Sequence, residues 1–183
     1  MDNLERKIEK GSLYKLDKSL LLTKVDRNYR ITNGPAFIDQ FNFYHTDSAK
    51  KIIYKIKVNK KDKIVSKKIF KKFSLSEGSP DGMTLDKNKN LWVAHFHGAC
   101  VSVFNIRAKL IHRIHLPAKN ITNCTFGGLK NNEIFITSAT KGMNRADLQK
   151  FKYSGFLFSI KSNIKGINQK KFILKNAKKR SLL

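Results

Sequence analysis

The sequence predicts an all-β fold built from repeated four-stranded units, and three observations carry that prediction. A turn rich in small and polar residues recurs at Thr32-Asn33-Gly34-Pro35-Ala36-Phe37, Pro80-Asp81-Gly82-Met83-Thr84-Leu85 and Thr122-Asn123-Cys124-Thr125-Phe126-Gly127. The step from Asn33 to Asp81 is 48 residues and that from Asp81 to Asn123 is 42. An apolar stretch follows each turn, at Phe43–Thr46, Leu91–Ala94 and Ile134–Thr137, with steps of 48 and 43, so the two series stay in phase. No stretch has the length and 3.6-residue apolar period of a helix, apart from a turn near Asn144 to Lys150.

Taken in chain order, each element has its own justification. The chain opens on Leu13-Tyr14-Lys15-Leu16, an alternating stretch that reads as a strand, followed by a weaker one at Leu20–Val25. The first full unit runs from the turn at Asn33 through Phe43–Thr46 and Ile53-Tyr54-Lys55-Ile56 to a lysine-rich strand at Ile64–Phe73. The second runs from Asp81 through Leu91–Ala94 and Val101-Ser102-Val103-Phe104 to Leu110–Leu116. The third has Asn123, Ile134–Thr137 and Leu157-Phe158-Ser159-Ile160. Each stretch is rich in β-branched and aromatic residues, which fit a pleated, half-buried surface, and is bounded by Gly, Asn, Asp or Lys. Four strands repeating every 40 to 50 residues are the signature of a propeller blade. The expected organisation is a partial β-propeller over 1–168 and a basic tail over 169–183. About three to three and a half blades are present, an incomplete ring. A truncated product, one half of a split gene, or an oligomer that closes the ring would each account for it.

Composition narrows the class. The chain has 183 residues, 40% of them hydrophobic and 13 of them Phe, enough for one domain with a real core and unlike a disordered chain. No apolar run is long enough to span a bilayer, and Met1-Asp2-Asn3-Leu4-Glu5-Arg6 lacks the apolar stretch of a leader peptide. The two cysteines, Cys100 and Cys124, form no C-x-x-C pair, which argues against a disulfide scaffold or a structural zinc site and makes a cytoplasmic location the default. Phosphate loops and G-x-S-x-G elbows are missing. The net charge of +25 points to an anionic partner, yet 31 of the 38 cations are lysine. Base readout and bidentate phosphate clamps favour arginine. Turn-like stretches such as Asn59-Lys60-Lys61-Asp62-Lys63 place the lysines on a solvated surface. No specific nucleic acid or membrane partner is expected, and a polybasic anion-binding module is the third option.

The motifs together are specific. Gly11-Ser12-Leu13-Tyr14, Asn33-Gly34-Pro35-Ala36-Phe37, Tyr44-His45-Thr46-Asp47-Ser48, Pro80-Asp81-Gly82-Met83, Leu91-Trp92-Val93-Ala94, Thr122–Gly128 and Thr137–Met143 follow one another in the order seen in one family, and Gly155-Phe156-Leu157-Phe158 closes the series. The chain resembles the gluconolactonase/regucalcin (senescence-marker protein, SMP-30-like) family of six-bladed propellers, which are metal-dependent lactone hydrolases.

The resemblance covers nearly the whole chain. It implies a lactone substrate and one divalent ion, calcium foremost, with zinc, manganese or magnesium as alternatives. It implies that Asn33 and Asp81 are metal ligands, that Asp81 also accepts the proton of the attacking water, and that Glu5 stands nearest to a substrate-binding glutamate. Oxygen ligands suit a hard cation that keeps some of its waters. The first-blade glutamate ligand of the family has no counterpart here, nor does the segment holding its substrate-binding arginine and asparagine. A second chain supplying the missing blades, or a non-catalytic remnant, is therefore the alternative to a working hydrolase. Against the family roles stands a plainer reading, because Asn-Gly and Asp-Gly are ordinary turn formers.

Two further residues read as channel-lining: Asn123, in the register of Asn33 and Asp81, and His95. His95 and His97, two apart after Trp92-Val93-Ala94, would share a strand face but lack a third zinc ligand.

Overall fold

The computed structural model describes residues 8–168, 172 and 173. Glu5 and, apart from 172 and 173, the basic tail expected over 169–183 lie outside the described residues. Thirteen strands are present among those described. β1 (Gly11–Leu16) and β2 (Leu22–Tyr29) make a hairpin. β3 (Thr32–Phe37), β4 (Asn42–Asp47), β5 (Ile52–Val58) and β6 (Ile64–Lys72) make a four-stranded antiparallel meander, as do β7 (Ser79–Leu85), β8 (Leu91–Phe96), β9 (Cys100–Phe104) and β10 (Leu110–His115). β11 (Asn120–Gly127), β12 (Glu133–Ala139) and β13 (Leu157–Lys161) form a three-stranded sheet. The architecture is the all-β propeller arc that the repeats predict, and among the described residues the ring is not closed. One short helix, α1 (Arg145–Lys150), sits where the sequence placed a turn; Asn144 caps it by accepting the Asp147 N–H at 2.8 Å.

A single turn design joins many of these strands. Asp17, Asn59, Asp86 and Asn105 each accept, through one side-chain oxygen, the N–H groups two and four residues further on. The fourth residue of each turn, Leu20, Asp62, Lys89 or Ala108, takes a left-handed φ between 58° and 64°. The side-chain oxygen supplies the acceptor that the ladder cannot, so the chain reverses within five residues. The first of these turns explains where β2 departs from expectation. Asp17 holds the turn through Leu21, and the strand begins at Leu22 rather than Leu20.

Burial is concentrated in the central blade. Every residue of β7, β8 and β9 is buried. One face packs Met83, Leu85, Leu91, Val93 and Phe104 against Tyr44, Ile53 and Phe73 of the preceding blade. The other packs Trp92, Ala94, Val101 and Val103 against Ile121, Cys124, Ile134 and Ile136 of the following one. Trp92 meets its polar need through Asp86, whose Oδ2 accepts the indole N–H at 3.0 Å. Residues 164–167 return beneath this seam, where the Lys87 N–H donates to the Lys165 carbonyl and the Gly166 N–H to the Asn131 carbonyl.

The first hairpin docks differently. Only Leu13 and Val25 join the small apolar cluster around Phe43, Ile56 and Val58. The remainder is polar: Tyr29 donates its hydroxyl to Asp26 at 2.5 Å, and Lys67 donates to Asp26 at 2.8 Å while its ammonium lies 4.3 Å from the Tyr29 ring centre. His45 of β4 meets the Tyr29 ring edge-on at 4.7 Å, wholly buried and with neither ring nitrogen hydrogen-bonded.

Candidate functional site

The innermost strands β3, β7 and β11 lie side by side, with β7 packed against both neighbours. Each breaks register with its partner at an equivalent place: between Asn33 and Ala36, between Pro80 and Met83, and between Ile121 and Asn123. Such irregularities bend a strand and re-aim its side chains. The recurring turns of the sequence are therefore bulges at the inner end of each blade, and they bring Asn33, Asp81 and Asn123 onto three adjacent strands.

Asp81 is 4% exposed, and its Oδ2 has no hydrogen-bond partner. Burial pushes its carboxyl up to about 7, and the Gly82 N–H is the one group that favours the ionised form. Relative to a carboxyl in water, the ionised form is disfavoured by about 4 kcal/mol. An unpaired buried carboxylate is costly to keep and so marks a place where a cation or a proton is wanted.

Asn33 is half-buried and donates Nδ2 to the Ser48 hydroxyl at 2.8 Å. That bond orients the amide and leaves Oδ1 as its uncommitted end. Gly34 beside it has φ 90°, and an added β carbon would come 2.7 Å from the Met83 Cε. Met83 in turn accepts a weak hydrogen bond from the Thr46 hydroxyl at 3.8 Å. The side chain two residues after Asp81 thus keys into the glycine next to Asn33 and couples the two bulges. Ser48 and Met83 stand in the sequence motifs without a site role of their own. Ser48 directly after β4, and the Met that follows Pro-Asp-Gly, were the available signals.

Asn123 is exposed at its bulge, and its side chain covers Gly82. Together with Pro35, Met83 and Thr84 it lines a cavity of about 170 Å³ between the inner strands. His95 is wholly buried. Its Nδ1 lies 2.7 Å from the Glu77 carbonyl, which accepts only, so the ring is protonated there and its Nε2 is left unpaired. Its ring stands edge-on to Phe73, and burial holds its basicity below the ordinary histidine range. The shared strand face expected for His95 and His97 does not form. β8 ends at Phe96, and His97 takes φ 64° in the turn to β9.

Cys124 is buried, its thiol pushed up to about 12, which removes it as a nucleophile. Among the described residues no group of three or more His, Cys, Asp or Glu converges in a way that would hold a metal. The donor set at the bulges is instead the Asp81 carboxylate with the Asn33 amide oxygen, both hard oxygen donors. The unpaired Asp81 Oδ2 fits a cation, and the number of donors fits only part of a coordination shell. No helix among the described residues is long and apolar enough to cross a membrane.

Comparison with known proteins agrees with this architecture. Residues 1–140 match the profile of the SMP-30/Gluconolactonase/LRE-like region. Regucalcin of Gallus gallus is 33% identical over 171 residues, which cover 90% of this chain and 56% of that protein. Pentonolactonase XacC of Haloferax volcanii is 29% identical over 131 residues, 70% of this chain and 45% of the relative. The crystal structure of a calcium-binding regucalcin from Agrobacterium tumefaciens superposes with a TM-score of 0.84 at 20% identity, over 92% of this chain and 58% of that one. The chain thus spans about half the length of the relatives it matches. With a matching profile over most of its residues and the propeller arc in place, the chain belongs to the SMP-30/gluconolactonase/LRE-like family.

Proposed function

We propose that this chain carries the asparagine–aspartate portion of a divalent-cation-dependent centre that hydrolyses sugar-acid lactones. The observation that carries the reading is the buried Asp81 carboxylate with a free Oδ2, set on the strand next to that of Asn33. Asp81 Oδ2 and Asn33 Oδ1 are the atoms that would face the ion, and calcium is its most natural identity for hard oxygen donors. A bound ion of this kind polarises an ester carbonyl and acidifies a water.

The residues do the rest. Asp81 is also the candidate to take the proton of the attacking water; burial alone raises its carboxyl, and an ion on Oδ2 would lower it, leaving the carboxylate ionised and able to accept. The Gly82 N–H holds the other side of that carboxylate, and Ser48 holds the Asn33 amide in one rotamer. Calcium takes six to eight oxygens, so waters, substrate or further protein groups would complete the shell around the two side chains.

Thermal unfolding with and without calcium tests the reading. At about a hundred times its Kd the ion stabilises the folded chain by about 2.7 kcal/mol. The resulting rise in Tm is expected in the unsubstituted chain and absent in Asp81→Asn, with magnesium, manganese and zinc as parallel titrations. Identical responses of the two proteins would remove Asp81 from the site. In a lactonase assay, Asp81→Asn is expected to lower kcat/KM by at least a hundredfold, as loss of a general base does.

A further inference from the structure

Asn123 occupies the bulge of β11 as Asn33 and Asp81 occupy those of β3 and β7, but the two ends of its amide are differently placed. Its Oδ1 accepts the Cys124 N–H at 2.9 Å, which fixes the rotation of the amide. A β carbon on Gly82 would fall 2.2 Å from that oxygen and 2.4 Å from Cγ, so the side chain lies directly over the residue that follows Asp81. The residue is exposed, and its Nδ2 enters no hydrogen bond among the described residues.

The three bulge side chains then divide the polar work unequally. Ionised Asp81 only accepts, and the Asn33 nitrogen is already given to Ser48. Among the described residues, Asn123 Nδ2 is the one amide donor of the three that remains free. It belongs to a side chain that lines the cavity shared with Pro35 and Met83, whose lining begins two residues along β7 from Asp81 and does not include Asp81 itself. An unsubstituted lactone offers a donor only its ester oxygens, whereas a sugar-acid lactone surrounds the ring with hydroxyls. We infer that Asn123 is a specificity-determining residue whose Nδ2 donates to a hydroxyl oxygen of a polyhydroxylated lactone bound beside Asp81. The inference rests on the lactone reading above.

Calorimetric titration with two hydrolysis-resistant probes, gluconolactam and δ-valerolactam, separates the possibilities in the presence of calcium. Asn123→Asp keeps an acceptor for the Cys124 N–H and the packing over Gly82 while removing the amide protons; Asn123→Ala removes both. The expected result is about a tenfold weaker Kd for gluconolactam in either variant, equivalent to about 1.4 kcal/mol, with the Kd for δ-valerolactam unchanged in both and the Tm unchanged in Asn123→Asp. That size is what a single hydrogen bond contributes.

Unaltered gluconolactam binding, an equal loss for both lactams, or no binding of gluconolactam by the unsubstituted chain would overturn the assignment. A calcium-dependent Tm rise that vanishes in Asp81→Asn, alongside unaltered gluconolactam binding in the Asn123 variants, would leave the cation site standing and remove only Asn123.

Discussion

The central blade and the first hairpin are made of the same kind of strand yet are held by different physics. β7–β9 are buried on both faces by aliphatic and aromatic side chains from two neighbouring sheets. Among the described residues the β1–β2 hairpin has one covered face, and there a tyrosine, an aspartate, a lysine and a neutral histidine stand beside a small apolar cluster. Tyr14, Leu16 and Leu22 on the hairpin are each 45–61% exposed. The contrast teaches that a propeller blade acquires its solidity from what flanks it, since the hairpin has the strand pattern without a second apolar face to press on. It also places the candidate site, which is carried by the part of the arc that is packed from both sides.

The largest expected effect lies in the central blade. Trp92→Ala should cost about 3–5 kcal/mol, since it opens a cavity between two sheets and strips Asp86 of its indole partner. Tyr14→Ala, half exposed on the hairpin, should stay within about 0.5 kcal/mol. Urea unfolding of the two variants measures both, and similar losses would erase the distinction.

Acid should sharpen the comparison next. Burial lowers His45 to about 4 in the folded state, against an ordinary value of 6.5. A depressed histidine favours the fold above the ordinary value and loses that contribution as pH falls from about 6.5 towards 4. The full loss is up to about 3 kcal/mol. The groups facing it are Tyr29 and Asp26 of β2, Asp47 of β4 and Lys67 of β6; the carboxylates oppose the shift and Lys67 adds to it. Protection of the β1 and β2 amides, taken relative to the intrinsic exchange rate at each pH, should fall across this window before that of β8, and His45→Phe should flatten the response. His95, also lowered, adds a slope in the same direction, whereas the raised Asp81 carboxyl of the central blade contributes stability as pH falls from about 7 and opposes both. Simultaneous release of both regions would show that the hairpin is not the weaker element.

The smallest effect concerns the turns. Of the four residues in the left-handed position, Leu20 is the one long apolar side chain, and it is 59% exposed. Asparagine tolerates that conformation far better, so Leu20→Asn should stabilise by about 0.5–1 kcal/mol, read as a higher urea midpoint. No gain would mean that Leu20 makes a contact worth as much as its strain.

Most of the fold was legible because its rules are local. Alternating β-branched residues set the strands, Asx residues at Asp17, Asn59, Asp86 and Asn105 set the reversals, and Asn144 announced the short helix. The misread start of β2 is instructive: Leu20 and Leu21 look like strand residues, and an Asp three positions upstream overrode them.

The candidate site was legible only in outline. The sequence placed Asn33, Asp81 and Asn123 in one register, a one-dimensional fact. That Asp81 is buried without a partner, that His95 turns its ring onto Glu77 and Phe73, and that Met83 fills the space at Gly34 are contacts between sheets, made by residues tens of positions apart. No local pattern encodes them.

The contact between Asn123 and Gly82 has a consequence for how such chains change over generations. Any side chain at position 82 would collide with the amide above it and also with the Asn123 Cα, 2.8 Å from the added carbon, so shrinking position 123 would not clear the room. The constraint falls on one member of the pair: position 82 is held at glycine whatever stands at 123, so related chains should vary at 123 and not at 82.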